Sequence, residues 1–499
     1  MTFLSRAREI AWGTPPETKA ERKLLVKIDF FILSFICLMY FSNYLDRANL
    51  YNAYTAGMKE ALNMEGNDLN KVTVSFTVGY TVGMIPQNLL LQFIPARTLF
   101  PVNCAIWGGL TMVTAAAKST SHLCVIRFFQ GLAEASTFVG AHVILGAWYK
   151  EAELCKRAAI FSSAAQIATI FSGVMQAKIY TTMDGIQRLH GFQWLFLICG
   201  LITLPIATYG YVFFPNTPST NSSMVFSSEE RELAVARLPP RPDTKLDRTI
   251  FRRVLGGWRW WLMSLIWIVG GELESIGTNS LMSLWMKHDG SYTVQQINYF
   301  PTGATAVSIV TLLATAVWTD WNKKRYQVNL LICVAMLVSA VVLLRQPHVC
   351  VGGVFFAFYL AGVSYAGQAS NFSWANDICQ DDSQERSLIL ASMNMWSSAT
   401  NAWWSILLFP ADHAPRWERG MVSIIVLCPI LALLTLLARY LQLRDQRLAA
   451  ERASVSIELQ DRPIQREENG EAKTTEEAID LPELRRRPEA RLQRKASNV

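Results

Sequence analysis

"CVIRFFQGLAEASTFVGAHVILGAW", residues Cys124–Trp148, is the stretch whose reading decides the fold of this chain. It is apolar and long enough to cross a bilayer, which takes roughly 20 mostly apolar residues. Yet it carries Arg127, Gln130 and Glu134 in its first half. A charged side chain at mid-membrane costs about 2.5–3.5 kcal/mol even on the lenient insertion scale, so such residues face a partner or a water-filled passage. Arg127 and Glu134 are seven residues apart, with Gly131 between them on the same stripe and Gln130 beside it. On a helix that spacing is two turns, ~10 Å along one face. Two readings stay open here. Arg127 is a fixed cation for an anionic substrate above a protonatable Glu134, or both are ion-pair partners that only fix packing.

Working outward, the rest of the chain reads the same way. It is 51% hydrophobic and 17% charged, against about a quarter charged in soluble domains. Apolar runs of spanning length lie near 28–46, 71–93, 99–117, 122–148, 157–180 and 192–214, and near 258–286, 299–319, 327–345, 349–373, 386–410 and 420–441. The fold class is therefore an all-α membrane protein with twelve transmembrane helices. Short alternating strands, the mark of a membrane barrel, are not seen. The first run follows a charged segment and has no small-residue cleavage site, so it is expected to stay as a span.

Charge divides the chain into regions. A cytoplasmic N-terminal tail is expected at 1–27, a six-helix half at 28–214, a central cytoplasmic loop at 215–257 and a second six-helix half at 258–444. A disordered cytoplasmic tail is expected at 445–499, where charge is mixed and aromatics are scarce. Lys and Arg concentrate in the tails, in the central loop and in "YKEAELCKR" and "DWNKKRYQ", which by the positive-inside rule puts both termini in the cytoplasm. The net charge of +7 is thus a topology signal, and no nucleic-acid partner is expected. Within the central loop, "SSEERELAVARL" opens with a serine cap and acidic first turn, which predicts a short surface helix. The nine cysteines are scattered singly, with no spacing for a metal or a disulfide framework.

Other polar residues inside the runs compete for roles. Asp46 and Arg47 end the first run, at a depth similar to that of Arg127, so an Asp46–Arg127 pair is expected. Glu272 and Asn279 are seven apart and share a face of the seventh run, with Glu274 pointing elsewhere. Glu272 either binds proton or substrate or braces a helix. Asn371 and Asn394 are candidate substrate ligands, although amides often only join membrane helices. Asp320 and Arg325 flank the loop after the eighth run. No phosphate-binding loop, metal cluster or nucleophile motif is present, so no cofactor, no metal and no enzyme activity are expected, and the driving force must be an ion gradient.

The six-plus-six plan with a basic central loop resembles the major facilitator superfamily, whose two related halves enclose a central cavity. "YLDRANLYNA", "RFFQGLAEASTFVG" and "SYTVQQINYFPTG" resemble its fungal anion:cation symporter (allantoate permease) branch. Within that branch, "LDRANL" followed by "NMEGNDLNKVTVSFTVGYTVGMIPQNLLLQFIPAR" is most similar to the pantothenate permeases. The resemblance implies a monomeric, multi-pass plasma-membrane symporter importing a small organic monocarboxylate, pantothenate first, with nicotinate, biotin or allantoate as alternatives. A non-transporting nutrient sensor of the same fold is the other class. For substrate binding it implies Arg127, Gln130, Asn371, Asn394 and Glu272; for proton coupling, Glu134 and Asp46; for gating or ion pairing, Arg47, Asp320 and Arg325. The family's glycine-rich basic loop between helices two and three is replaced by "QFIPARTLFP", which keeps only Arg97.

Overall fold

A computed structural model describes residues 18–460 except 66–67, 92, 219–224, 239–249 and 411–412. The expected tails up to 17 and from 461 lie outside the described residues. Among the described residues there are helices and no strands.

Twelve long helical segments match the twelve apolar runs, and we number them α1–α12. In the first half α1 is Lys19–Ile28, a π-helical turn Asp29–Leu33 and Ser34–Ala53; α2 is Asp68–Leu90 and α3 Ala96–Thr114. There α4 is Thr120–Glu134 plus Thr137–Trp148, α5 Glu151–Met183 and α6 Gly191–Phe213. In the second half α7 is Trp258–Glu272, Ser275–Thr278 and Leu281–Asp289, and α8 is Pro301–Asn322. There α9 is Tyr326–Leu344, and α10 is Val351–Leu360, a 3-10 turn Ala361–Tyr365 and Ala366–Ile378. Finally α11 is Ser383–Leu408 and α12 Glu418–Gln460. Seven of these (α1, α4, α6, α8, α9, α10 and α12) are long and apolar enough to cross a membrane by composition alone. The other five have the length but carry more polar residues, as α11 does in "SMNMWSSATN".

Three helices are interrupted near mid-length, and each break is next to a buried polar side chain. The first part of α4 ends at Glu134, α7 breaks just after Glu272, and the 3-10 turn of α10 precedes Gln368. Broken spans expose backbone groups where a ligand passes, and a bilayer tolerates them only where protein or a cavity surrounds them. Regular helix in α7 is interrupted at Leu273 and Glu274, which keep right-handed helical dihedrals, and again at Asn279 and Ser280, where Ser280 has φ 52°.

Within the first half, α2 lies against α4, α3 against α6 and α1 against α5; in the second, α7 lies against α11 and α9 against α10. Contact between the halves runs through α2 with α11, α5 with α8 and α10, and the second part of α4 with α10 and α11. The α2–α4 approach is backbone to backbone. A Cβ on Gly131 would sit 2.3 Å from the Phe76 carbonyl oxygen, and one on Gly79 would sit 2.1 Å from that of Phe128.

The central stretch folds onto the first half. The helix Ser228–Ala236 starts in a capping box between Ser227 and Glu230, as its sequence predicts. Glu230 pairs with Lys27 at 2.7 Å, and Arg237, just past the helix, pairs with Glu153 at 2.5 Å and Glu21 at 3.4 Å. Phe226 stacks on Trp148 with ring centroids 5.4 Å apart. At the other end of the described residues, helix enters the start of the tail expected to be disordered from 445 and runs to Gln460. Those residues, "DQRLAAERASVSIELQ", contain neither Gly nor Pro, and Leu, Ala, Arg, Glu and Gln are strong helix formers. Residues from Leu443 onward form a separate unit.

The α2–α4 contact generates a test. Gly131→Ala places a methyl against backbone that cannot move alone, and overpacking of this kind costs about 1–3 kcal/mol. The purified variant is expected to melt several degrees below the native protein in the same detergent, whereas Gly109→Ala, where a Cβ would meet open space, is expected to leave the melting temperature unchanged.

Candidate functional site

The first half brings α1, α2, α3 and α4 together around two carboxylates and two guanidinium groups. Asp46 is 1% exposed, Arg127 2%, Gln130 1% and Glu134 0%. Arg47 bonds Glu134 through Nε to Oε2 at 3.1 Å. Its guanidinium also lies over the rings of Tyr44, Phe76 and Tyr80, at 5.2, 5.0 and 4.5 Å from their centroids. Three aromatic faces and a carboxylate replace the water that Arg47 gives up. A cation over an aromatic face is worth about 0.5–2 kcal/mol, more when desolvated. Arg127 Nη2 points at the backbone carbonyl of Asp46, 3.5 Å away. Arg127 thus reaches Asp46 through its main-chain carbonyl rather than in the expected side-chain pair, and Glu134 has Arg47 as its ion-pair partner.

A neutral relay holds Asp46. Gln130 Nε2 donates to Thr111 Oγ1 at 3.1 Å, and Thr111 Oγ1 lies 3.1 Å from Asp46 Oδ2 and 2.9 Å from the Trp107 carbonyl. A hydroxyl has one proton and two lone pairs. Thr111 can therefore donate to an ionised Asp46, or turn to Trp107 and accept from a protonated one. Both charge states of Asp46 keep their hydrogen bonds. Sequence reading placed Gln130 correctly beside the stripe but did not find Thr111, because a threonine in an apolar run carries no signal of its own.

The second half faces this group with its own polar set. Glu272 accepts from Asn401 Nδ2 at 3.4 Å, and Glu274 from Gln368 Nε2 at 3.0 Å; both glutamates are buried. Asn394 reaches across the halves and donates to the Tyr80 hydroxyl at 3.2 Å. Of the candidates in this half, Asn394 thus contacts the first half directly, whereas the hydrogen bond of Glu272 stays within the second half. Asn371 exchanges hydrogen bonds with Asn329 at 2.8 and 3.0 Å, and Asn329 also donates to Thr435 at 3.1 Å, so Asn371 ties α10 to α9 and α12 inside the second half. An amide pair satisfies both partners without solvent, which is the usual use of amides between membrane helices.

Asp320 and Arg325 form a separate cluster at one end of the molecule, where the halves meet. Asp320 accepts the backbone N–H of Cys155 at 3.2 Å and of Lys156 at 2.9 Å, near the amino end of α5, where a helix favours negative charge. Arg325 donates to Asp320 at 3.1 Å and to the Glu151 carbonyl at 2.8 Å, and it ion-pairs with Asp377. Every one of these contacts to α5 crosses from the second half to the first. Asp377 was not singled out from the sequence, because it ends a run and looks like an ordinary interfacial charge.

These features are those of a transport protein, and the comparisons agree. The family model described as Major Facilitator Superfamily matches residues 36–405. The chain belongs to this superfamily. It is 42% identical over 433 residues to the pantothenate transporter liz1 of Schizosaccharomyces pombe, covering 86% of this chain and 84% of that one. It is 44% identical over 436 residues to the pantothenate transporter FEN2 of Saccharomyces cerevisiae, covering 85% of each. Among solved structures it is similar in fold to the human organic anion transporter MFSD10, with a TM-score of 0.61 at 11% identity over 82% of this chain and 99% of that one. The fucose:proton symporter FucP from E. coli gives 0.60 at 12% identity, over 81% and 97%. Superfamily members are transporters rather than enzymes, and this chain is a multi-pass membrane transporter.

The inter-half cluster predicts a conformational effect. Arg325→Ala leaves Asp320 and Asp377 without their guanidinium, and stranding a buried charge costs about 3–5 kcal/mol. The closed contact should then open more often. Cys155 is fully buried there, its Sγ accepting from Thr319 at 3.5 Å. Its alkylation by a small thiol reagent is expected to be at least fivefold faster in Arg325→Ala than in the native protein, in a background where Cys350, the exposed cysteine, is replaced by serine.

Proposed function

We propose that this protein imports pantothenate together with a proton, by alternating access, across the plasma membrane, as a monomer with both termini in the cytoplasm. The two halves, 28–214 and 258–444, rock about the central site. The observation that carries the reading is the Arg47–Glu134 ion pair, with Glu134 fully buried and Arg47 partly exposed, beside the buried Asp46 and Arg127. Such a pair is a closed circuit until one member is neutralised. Protonation of Glu134 removes its charge and frees Arg47, which with Arg127 forms a cationic site for one carboxylate. A proton and an anion entering together leave the net charge of the site unchanged, so neither is carried into low dielectric uncompensated. Asp46, held by Thr111, is the second carboxylate able to take a proton. Gln130 and Asn394 border the same space and address the polar middle of the substrate.

The orientation follows from charge. Lys150, Lys27, Arg237, Arg157 and Arg325 gather at the end where Asp320 meets α5, and basic residues mark the cytoplasmic side. The contact between halves at that end corresponds to a state closed to the cytoplasm. The similarity of the chain, over most of its length, to two fungal pantothenate transporters supports the substrate.

Uptake into proteoliposomes tests both roles. Glu134→Gln keeps shape and removes titration. It is expected to sustain exchange of labelled pantothenate across the membrane and to lose accumulation driven by a pH gradient. A variant that still concentrates substrate moves the proton role to Asp46. Arg127→Ala is expected to weaken competition by pantothenate at least ~30-fold, because losing a charged hydrogen-bonded partner costs on the order of 2–5 kcal/mol and 1.4 kcal/mol is tenfold. The uncharged carboxamide of pantothenate should compete poorly with both proteins and discriminate little between them. Equal losses for acid and amide would make Arg127 a packing residue.

A further inference from the structure

The break in α7 is clamped on two sides. A Cβ on Gly271 would meet Ser397 Oγ of α11 at 2.3 Å, and one on Gly277 would meet the Tyr365 hydroxyl of α10 at 2.8 Å. Between these contacts lie Glu272 and Glu274, each held through Oε2 by one neutral amide, Asn401 of α11 and Gln368 of α10. The other oxygen of each, Oε1, is buried and has no hydrogen-bond partner. A buried acceptor without a donor is costly, about 1–3 kcal/mol and more for a charged group. Two such acceptors at one helix break point to a ligand.

The two glutamates are not equivalent. Glu272 turns back toward α11 within its own half. Glu274 lies within electrostatic reach of Tyr44 on α1, in the first half, as well as of Tyr365 on α10 in its own half. Tyr44 in turn stands under the Arg47 guanidinium. Thus one wall of the passage presents arginines and the facing wall presents a carboxylate whose described side-chain neighbours, Gln368, Tyr44, Tyr365 and Glu272, include no cation.

We propose that Glu274, positioned by Gln368, is the subsite that reads the hydroxyl-bearing end of the transported anion. The inference rests on the reading of pantothenate as substrate and deepens it. A second carboxylate repels the carboxylate of the substrate, so the ligand can enter only one way round, with its acid toward Arg47 and Arg127. A hydroxyl at the other end fits Oε1 in either charge state of Glu274, because it donates to an ionised carboxylate and accepts from a protonated one. Sites built to bond a hydroxyl discriminate strongly against analogues that lack it, since the buried acceptor is then left unmet.

The experiment compares pantothenate with an analogue in which both hydroxyls are replaced by hydrogen and the carboxylate is kept. Each competes against labelled pantothenate in proteoliposomes of the native protein and of Glu274→Met, which keeps the shape and removes the acceptor. The native protein is expected to prefer pantothenate at least tenfold. In Glu274→Met that preference should fall to within twofold, with the analogue competing as well as it does against the native protein. Gln368→Leu, which removes the positioning amide, should reduce the preference in the same direction. Equal weakening of both compounds in Glu274→Met overturns the proposal, as does an unchanged preference. The native comparison decides the case even if the variant does not fold. Native vesicles that transport pantothenate without a hydroxyl preference overturn this inference alone. Native vesicles that transport neither compound overturn the substrate reading with it.

Discussion

The structure depends on one constraint: a charge in hydrocarbon must be met by a charge, a dipole or an aromatic face. Arg47 is where this is most visible. It has Glu134 at 3.1 Å and three rings around its guanidinium. Two of those rings, Phe76 and Tyr80, belong to α2, and they reach Arg47 because α2 lies close against α4. That closeness requires hydrogen in place of a side chain at Gly131 and Gly79. The glycines are therefore not only packing devices. They set the depth at which the aromatic wall stands beside the ion pair. The break in α4 directly after Glu134 belongs to the same arrangement, because it ends the regular helix at the carboxylate.

The architecture was legible because apolar length and charge distribution are direct consequences of the bilayer. Each of the twelve apolar runs became a helix. The site was legible only in its membership. Arg127 and Glu134 stand out because a charge within an apolar run is costly and must face a partner or a passage. Their partners did not follow, because spacing along one helix says nothing about rotation between helices. Asp46 and Arg47 are adjacent and so point about 100° apart; which of them meets Glu134 depends on how α1 is turned against α4. Glu272 and Glu274 show a different limit. Counting seven residues assumes an unbroken helix, and "GGELESIGTNS" is broken twice. Asn371 shows a third. A buried asparagine looks the same in sequence whether it faces a passage or another asparagine.

Polar groups are used differently at the two places where the halves meet. At the end carrying Asp320 and Arg325, the charges are concentrated near bulk water. There Asp320 draws on backbone N–H groups of α5 as well as on Arg325. When the halves part, both can be rehydrated, so the contact holds one state without making the other prohibitive. In the central site Asp46, Arg127 and Glu134 are buried and Arg47 alone is partly exposed, so its charges are exchanged largely among themselves. Thr111 serves this purpose for Asp46, offering a donor or an acceptor without moving away.

On the proposed reading, this contrast limits what can load the site. An anion arriving alone would meet Glu134 and Asp46 while Arg47 is already engaged, and a proton arriving alone would leave Arg47 with rings but no counter-ion. Each half-loaded state strands a charge where stranding is expensive. Only the doubly loaded state and the empty state leave each charge of the Arg47–Glu134 pair with a partner. The proposed coupling between proton and anion thus needs no dedicated sensor. It follows from an arginine that is engaged by a carboxylate until that carboxylate is neutralised.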